Sequence, residues 1–290
     1  MYKQRDDSLN YQSPKTVSEA VASLANDKWT VLSGGTDFYP GLADQQPVGN
    51  ILDVSQLQGL RDINKREDGS WSIGARVTWT DIIQANLPNA FDGLKAAARE
   101  VGSIQIQNRA TVVGNICNAS PAADGVPPLL TLDAVVEISS NAGQCSVPLQ
   151  DFLLGNREAT LQSQELVTAI TIPKSAAAGV SSFIKLGTRK YLVISISMVA
   201  ARLVLDAQNT ILDAAICVGS CSAVAMRLPT LEQNLIGQPL CQKTCDAIAS
   251  THLQGLSPID DVRATRTYRQ AASLELVKRS VASISQREKA

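Results

Sequence analysis

Apolar residues change their period repeatedly along the chain, and each change predicts a different kind of element. Ala20, Val21 and Leu24 recur at helical spacing behind Thr16-Val17-Ser18-Glu19, a capping box, and predict a helix to about Ala25. Short apolar runs at 29–32 and 50–54 read as strands, so the chain opens with a small βαβ-like unit. Between Leu57 and Pro173 strands are expected at 70–74, 134–139 and 166–172. One helix should start at the Thr78-x-x-Asp81 cap, and a second, over 91–101, should turn Leu94, Ala97 and Ala98 inward. The next stretch, through Asp124, shows little periodicity and reads as a long functional loop. Pro173-Lys174-Ser175-Ala176-Ala177-Ala178-Gly179 reads as a linker. Beyond it, antiparallel strands are expected at 182–186, 195–205 and 210–217, then helices near Leu231 and Cys241 and over 268–285. The class is α+β, divided at 1–56, 57–174 and 180–287.

Composition narrows the function. At 290 residues and 44% hydrophobic, there is core enough for two or three subdomains. The 26 basic and 27 acidic residues leave a net charge of -1, which argues against a nucleic-acid partner. No apolar stretch approaches the roughly twenty residues that span a bilayer, and the opening Met1-Tyr2-Lys3-Gln4-Arg5-Asp6-Asp7 lacks a signal-peptide core, so a cytoplasmic, membrane-free protein is expected. Six cysteines include two C-x-x-x-C pairs, Cys217/Cys221 and Cys241/Cys245. On a strand, residues four apart stand about 13 Å apart, too far to share a metal. The second pair falls on a plausible helix face, but His252 is the single histidine and no four-ligand set emerges. Free thiols are expected, and any iron-sulfur centre would belong to another chain. The lone histidine also leaves no triad and no cysteine beside a histidine for hydrolytic chemistry.

Two glycine turns carry the chemistry. Ser33-Gly34-Gly35-Thr36-Asp37 and Thr111-Val112-Val113-Gly114-Asn115 stand about eighty residues apart, and the second runs into Ile116-Cys117-Asn118-Ala119-Ser120-Pro121-Ala122-Ala123-Asp124. A diphosphate needs backbone N–H groups at close range, which glycine permits without a Cβ clash, while Thr, Ser and Asn add donors. The pair reads as a diphosphate clamp for a dinucleotide. Asp53 lies beyond Gly34 at an interval suited to a ribose-binding carboxylate, but G-x-G-x-x-G is missing and Pro40 interrupts the segment after the turn, which disfavours a Rossmann unit.

These motifs resemble the FAD-binding medium subunit of the molybdenum hydroxylases, the family of xanthine dehydrogenase and carbon monoxide dehydrogenase. Val31 to Asp37 resembles its first FAD motif, Val101 to Asp124 its second, Lys185 to Ser195 the start of its C-terminal domain, and Gly237-Gln238-Pro239-Leu240 a later turn. The family has Gly-Gly-Asn where this chain has Val113-Gly114-Asn115, and Arg where Gln107 stands. A left-handed family backbone at 113 would force a different turn here, since valine resists φ > 0.

The resemblance implies a two-part FAD-binding domain and an antiparallel-sheet-and-helices C-terminal domain. It implies cofactor contacts at Val31, Leu32, Ser33, Gly34, Gly35, Thr36 and Asp37, and at Val101, Thr111, Gly114, Asn115, Ser120 and Asp124. Lys185 and Ser195 would border the flavin ring, with Tyr39 and Tyr191 available to shield it. Taken by themselves, Lys185 also suits a solvated strand end and Asp124 a helix cap before Pro127-Pro128. The resemblance further implies a small iron-sulfur subunit with two [2Fe-2S] clusters and a large subunit with the molybdenum cofactor, in a dimer of heterotrimers. Electrons would pass through FAD to NAD or another acceptor. A stand-alone FAD oxidase of the vanillyl-alcohol oxidase type, and a nucleotide-binding or scaffolding protein, are the competing readings.

Overall fold

A computed structural model describes residues 9–287; the opening stretch read above for a signal-peptide core, 1–7, lies outside them. The first unit is a parallel three-stranded sheet, ordered β1 (Leu9–Gln12), β3 (Gly49–Asp53), β2 (Thr30–Leu32), with α1 (Val17–Asn26) crossing over it. The capping box forms: Thr16 Oγ1 accepts the Glu19 N–H at 3.2 Å, and the Glu19 carboxylate accepts the Thr16 N–H at 3.2 Å. β1 is not anticipated by the residue pattern because all four of its residues are exposed, so it has no buried face to give a period. Ala20, Val21 and Leu24 pack on Leu52, Val54 and Leu57, and also on Leu166 from much later in the chain.

The second unit is an antiparallel sheet ordered β4 (Ile63–Lys65), β5 (Trp71–Gly74), β10 (Leu166–Ile172), β6 (Val135–Ser140), β7 (Gly143–Pro148). Around it lie α3 (Trp79–Gln84), α4 (Asp92–Glu100), α5 (Ile104–Gln107), α6 (Val112–Cys117), α7 (Val126–Thr131), α8 (Leu149–Phe152) and the hairpin β8 (Leu153–Gly155) and β9 (Glu158–Ala159). Leu94, Ala97 and Ala98 of α4 are fully buried, as their spacing predicts. The expected long loop through Asp124 is instead broken by α5 and α6. Thr111 Oγ1 accepts the Gly114 N–H at 3.0 Å and starts α6, and Val112, Val113 and Ile116 bury one side of it. Six residues are too few to display a helical period in the sequence. Val113 is therefore helical, and the conflict with a left-handed backbone does not arise. Gln107 ends α5 and donates its side-chain amide to the Arg99 carbonyl at 3.1 Å.

The third unit is an antiparallel sheet of β11 (Val180–Leu186), β12 (Ser197–Leu205), β13 (Ile211–Gly219) and β14 (Met226–Arg227), in that order. Its core is closed by α9 (Pro229–Leu235), α10 (Gln242–Asp246) and α11 (Arg266–Arg287). Units two and three are tightly joined where α4 meets β11. The Gly93 N–H donates to Ser181 Oγ at 2.7 Å, and a Cβ on Gly93 would stand 2.9 Å from the Ser182 carbonyl oxygen. All six cysteines are free. Cys241 is the extended, exposed residue before α10, whereas Cys245 inside that helix is buried, so the two do not share an open face. Among the described residues no helix is long and apolar enough to cross a membrane.

Candidate functional site

The first glycine turn touches the backbone just before the second. Ser33 to Asp37 leaves β2 and enters a short helix, α2 (Phe38–Leu42). Thr111 to Asn115 forms the start of α6, fixed against α3 by the Val112 N–H to Val77 carbonyl bond at 3.0 Å and the Trp79 N–H to Ala110 carbonyl bond at 3.2 Å. A Cβ built on Gly34 would lie 2.1 Å from the Arg109 carbonyl oxygen and 3.0 Å from the Ala110 Cα, so the backbones of the two segments touch at Gly34. Gly35 takes φ +73°, and the Tyr39 ring covers the place a side chain would occupy there, 2.6 Å from a built Cβ. Ser33, Gly34, Gly35 and Thr36 are half-buried and Gly114 is exposed, so this backbone is reachable from outside.

The polar groups around the junction suit an anionic, hydroxyl-rich ligand. Gly114 presents no Cβ, and among the described residues, apart from the backbone of its own helix, a methyl there would approach Thr111 Oγ1 alone. Asn115 Oδ1 is buried with no hydrogen-bond partner among the described residues. Ser120 caps the next turn through the Ala122 N–H at 3.3 Å. A residue that no sequence motif marks completes the ring: Arg157, from the β8–β9 turn, donates to Asp37 Oδ2 at 2.9 Å and to Asn118 Oδ1. No spacing rule points from 157 back to 37 and 118. Asp53, the alternative ribose carboxylate, is already engaged, accepting from Tyr11 Oη at 2.5 Å and the Ser55 N–H at 2.8 Å.

Asp124, Lys185 and Ser195 converge on one another. Lys185 Nζ lies 2.6 Å from Asp124 Oδ2 and Ser195 Oγ 2.6 Å from Oδ1; Lys185 also reaches the Glu100 carbonyl at 3.3 Å, at the end of α4. The two charged side chains are only 7% and 9% exposed, so Lys185 is not a solvated strand-end charge. Nor does Asp124 cap a helix: the N-cap of α7 is Gly125, and no side chain caps it. Burial pushes the Asp124 carboxyl above its ordinary value, opposed by the Lys185 charge and by the Lys185 and Ser195 hydrogen bonds. Residues 186–194 leave and return beside this carboxylate, carrying Tyr191, Leu192 and Ile194 exposed at 64, 55 and 63%. Tyr39 is exposed on the first segment. Val31 is exposed and Leu32 buried on β2, and Val101 is the half-buried residue that ends α4.

Residues 7–175 match the family model described as the FAD binding domain in molybdopterin dehydrogenase, and 182–284 match the CO dehydrogenase flavoprotein C-terminal domain. The chain belongs to this FAD-binding family. It is the flavin-binding medium subunit of a molybdenum hydroxylase, an oxidoreductase component. Among its relatives, the xanthine dehydrogenase FAD-binding subunit of Escherichia coli O157:H7 is 32% identical over 267 residues, covering 91% of each chain. The nicotinate dehydrogenase FAD-subunit of Eubacterium barkeri is 32% identical over 249 residues, covering 82% of this chain and 83% of that one. Among solved structures, carbon monoxide dehydrogenase from Hydrogenophaga pseudoflava superposes with a TM-score of 0.85 at 26% identity, over 99% of both chains.

Gly34 allows a backbone approach that any side chain would block, Gly114 is exposed and carries no side chain, and Asn115 Oδ1 is a buried acceptor without a partner among the described residues. These observations agree with a bound dinucleotide.

Proposed function

We propose that this chain carries FAD between the turn at Ser33, Gly34, Gly35, Thr36 and Asp37 and the segment holding Thr111, Gly114, Asn115 and Ser120. The contact of Gly34 with the Arg109–Ala110 backbone carries the proposal, because it sets two donor-bearing stretches side by side. Val31 and Leu32 would wall the first side and Val101 the second. Asp124, Lys185 and Ser195 would stand at the ring end, under the 186–194 segment. When bound, FAD supplies the two-electron to one-electron redox chemistry; the chain supplies position, shielding from water and a fixed electrostatic setting.

In this reading residues 1–56 and 57–174 form the cofactor-binding domain and 180–287 the C-terminal domain. The subunit accepts electrons from the [2Fe-2S] centres of a small partner, which draw them from a large molybdenum-cofactor subunit, and delivers them to NAD or another acceptor. The assembly would be a cytoplasmic dimer of heterotrimers. A stand-alone FAD oxidase would need acid and base groups of its own at the ring; the buried set here is closed on itself by its own hydrogen bonds.

The chain should be purified with whatever accompanies it, its visible spectrum recorded before and after dithionite, and molybdenum and iron counted. A bleachable flavin spectrum with both metals in companion chains is expected. A colourless preparation after loading with FAD sinks the cofactor assignment, and a flavin-bearing chain that turns over substrate without companions favours the oxidase.

A further inference from the structure

We infer that Arg157 is a cofactor-binding residue, supplying the cation that faces the diphosphate. The inference rests on the FAD reading of the site. Two facts about position motivate it. First, the stretches 33–37 and 111–124 contain no lysine or arginine, and their ionisable carboxylates, Asp37 and Asp124, are of the wrong sign to receive a dianion. Arg109 faces Gly34 with its backbone carbonyl, and its side chain is exposed with no hydrogen bond to either stretch among the described residues. Arg157 is the cation whose side chain bridges the rim, donating to Asp37 on one segment and Asn118 on the other.

Second, the backbone is arranged to hold it there. Arg157 has φ 61°, a left-handed conformation that residues with a Cβ seldom adopt. Its N–H donates at 2.9 Å to the carbonyl of Ala119, itself left-handed at φ 47°. Folding stability does not explain the arrangement, because the Arg157–Asp37 pair is 54 and 62% exposed and exposed ion pairs contribute little. A guanidinium fixed at the base, open at the tip and spanning both segments suits bidentate capture of phosphate oxygens. Asp37 holds it in place when no phosphate is bound and competes with the phosphate for it.

The test is titration of FAD into apoprotein, monitored by flavin fluorescence, for wild type and three variants. Arg157→Asn keeps a residue that tolerates the left-handed backbone while removing the cation, and should weaken FAD binding by about 10- to 100-fold, the range of one charge-assisted pair. Arg157→Lys, retaining the charge without the fork, should fall between. Asp37→Asn removes the competing carboxylate and should tighten binding severalfold. If Arg157 served only to tie the two segments together through Asp37, Asp37→Asn would instead weaken FAD as Arg157→Asn does, and the inference would be overturned. Arg157→Asn binding FAD as wild type does, with an unchanged thermal midpoint of the apoprotein, would also overturn it while leaving the FAD reading intact. Failure of wild type itself to bind FAD would remove that reading and this one together.

Discussion

Gly34 and Gly114 occupy equivalent places in the two motifs, yet adding one methyl to each should have unequal consequences for the fold. At Gly34 the new Cβ would stand 2.1 Å from the Arg109 carbonyl oxygen, 2.8 Å from its carbon and 3.0 Å from the Ala110 Cα, all backbone atoms. Carbon contacts settle near 3.5 Å or more, so the segments must part by roughly 1 Å. The segment that would have to move is tied to α3 through the Ala110 carbonyl and Val112 N–H bonds. Forced separation of this kind costs about 1–3 kcal/mol. For a chain of this size that is roughly 2–10 °C in the unfolding midpoint. At Gly114 the neighbour outside the helix's own backbone is Thr111 Oγ1 at 2.8 Å, a hydroxyl that can rotate away. Alanine is favoured over glycine inside a helix by about 1 kcal/mol, and the lost Thr111 cap costs about the same, so the fold should change by less than about 1 kcal/mol. The Gly34 methyl would part the two segments proposed to hold the diphosphate, and the Gly114 methyl would crowd the first turn of α6 that is proposed to present its N–H groups. Thermal unfolding read beside the flavin-to-protein absorbance ratio should therefore show Gly34→Ala losing both stability and FAD, and Gly114→Ala losing FAD alone. Equal midpoint losses in the two variants, or a Gly34→Ala protein with wild-type midpoint and full flavin, would refute the reasoning.

Three further outcomes rest on buried and titratable groups. Asp124→Asn leaves the Lys185 ammonium buried opposite a neutral amide and should cost about 3–5 kcal/mol in denaturant unfolding; a change below about 0.5 kcal/mol would show the pair to be better hydrated than its burial indicates. In a thiol titration of the native chain, Cys145 and Cys241 should react at once, since both are exposed and hydrogen bonds led by the Thr244 hydroxyl lower the Cys241 thiol. Cys117 keeps some residue surface, but burial of its sulfur pushes the thiol up to about 12, so it should wait for unfolding together with buried Cys217, Cys221 and Cys245; a third fast thiol contradicts this. Asp261 accepts from Arg263 and Arg269, which hold its carboxyl well below the ordinary 3.8. A depressed acid stabilises fully above its unfolded value and loses that contribution as pH falls toward the folded one. The midpoint difference between wild type and Asp261→Asn should thus hold constant at pH 5 and above and shrink below about pH 4; a difference undiminished at pH 2 would rule out the ion pairs as its source.

Elements that bury one side against a large neighbour are legible in the sequence. α1, α4 and α11 carry continuous apolar faces, and β10, β12 and β13 carry enough buried residues to be read directly. Strands without a buried face are not. β1 is wholly exposed, and β7 is exposed along most of its length, so neither leaves a pattern of burial in its residue order. α6 is hidden by brevity, although its cap, Thr111 to Gly114, is recognisable once the helix is known. For the site, glycines and hydroxyls can be read because a close backbone approach demands those residue types. Arg157 cannot, since its role depends on a hairpin folding back across about 120 residues to Asp37. The burial of Lys185 is hidden for a similar reason: a strand-end lysine and one aimed into a domain joint look alike until the joint is formed.

The Asp124 carboxylate spends one oxygen on Lys185 and the other on Ser195, which stand at opposite ends of a nine-residue span. The span is also closed at its root by the Ile196 N–H to Leu186 carbonyl bond at 2.7 Å, which continues the β11–β12 ladder. Neutralising Asp124 would release the Lys185 and Ser195 side chains while the ladder kept both legs side by side. Tyr191, Leu192 and Ile194 would then gain freedom at the crown of the span and not at its root.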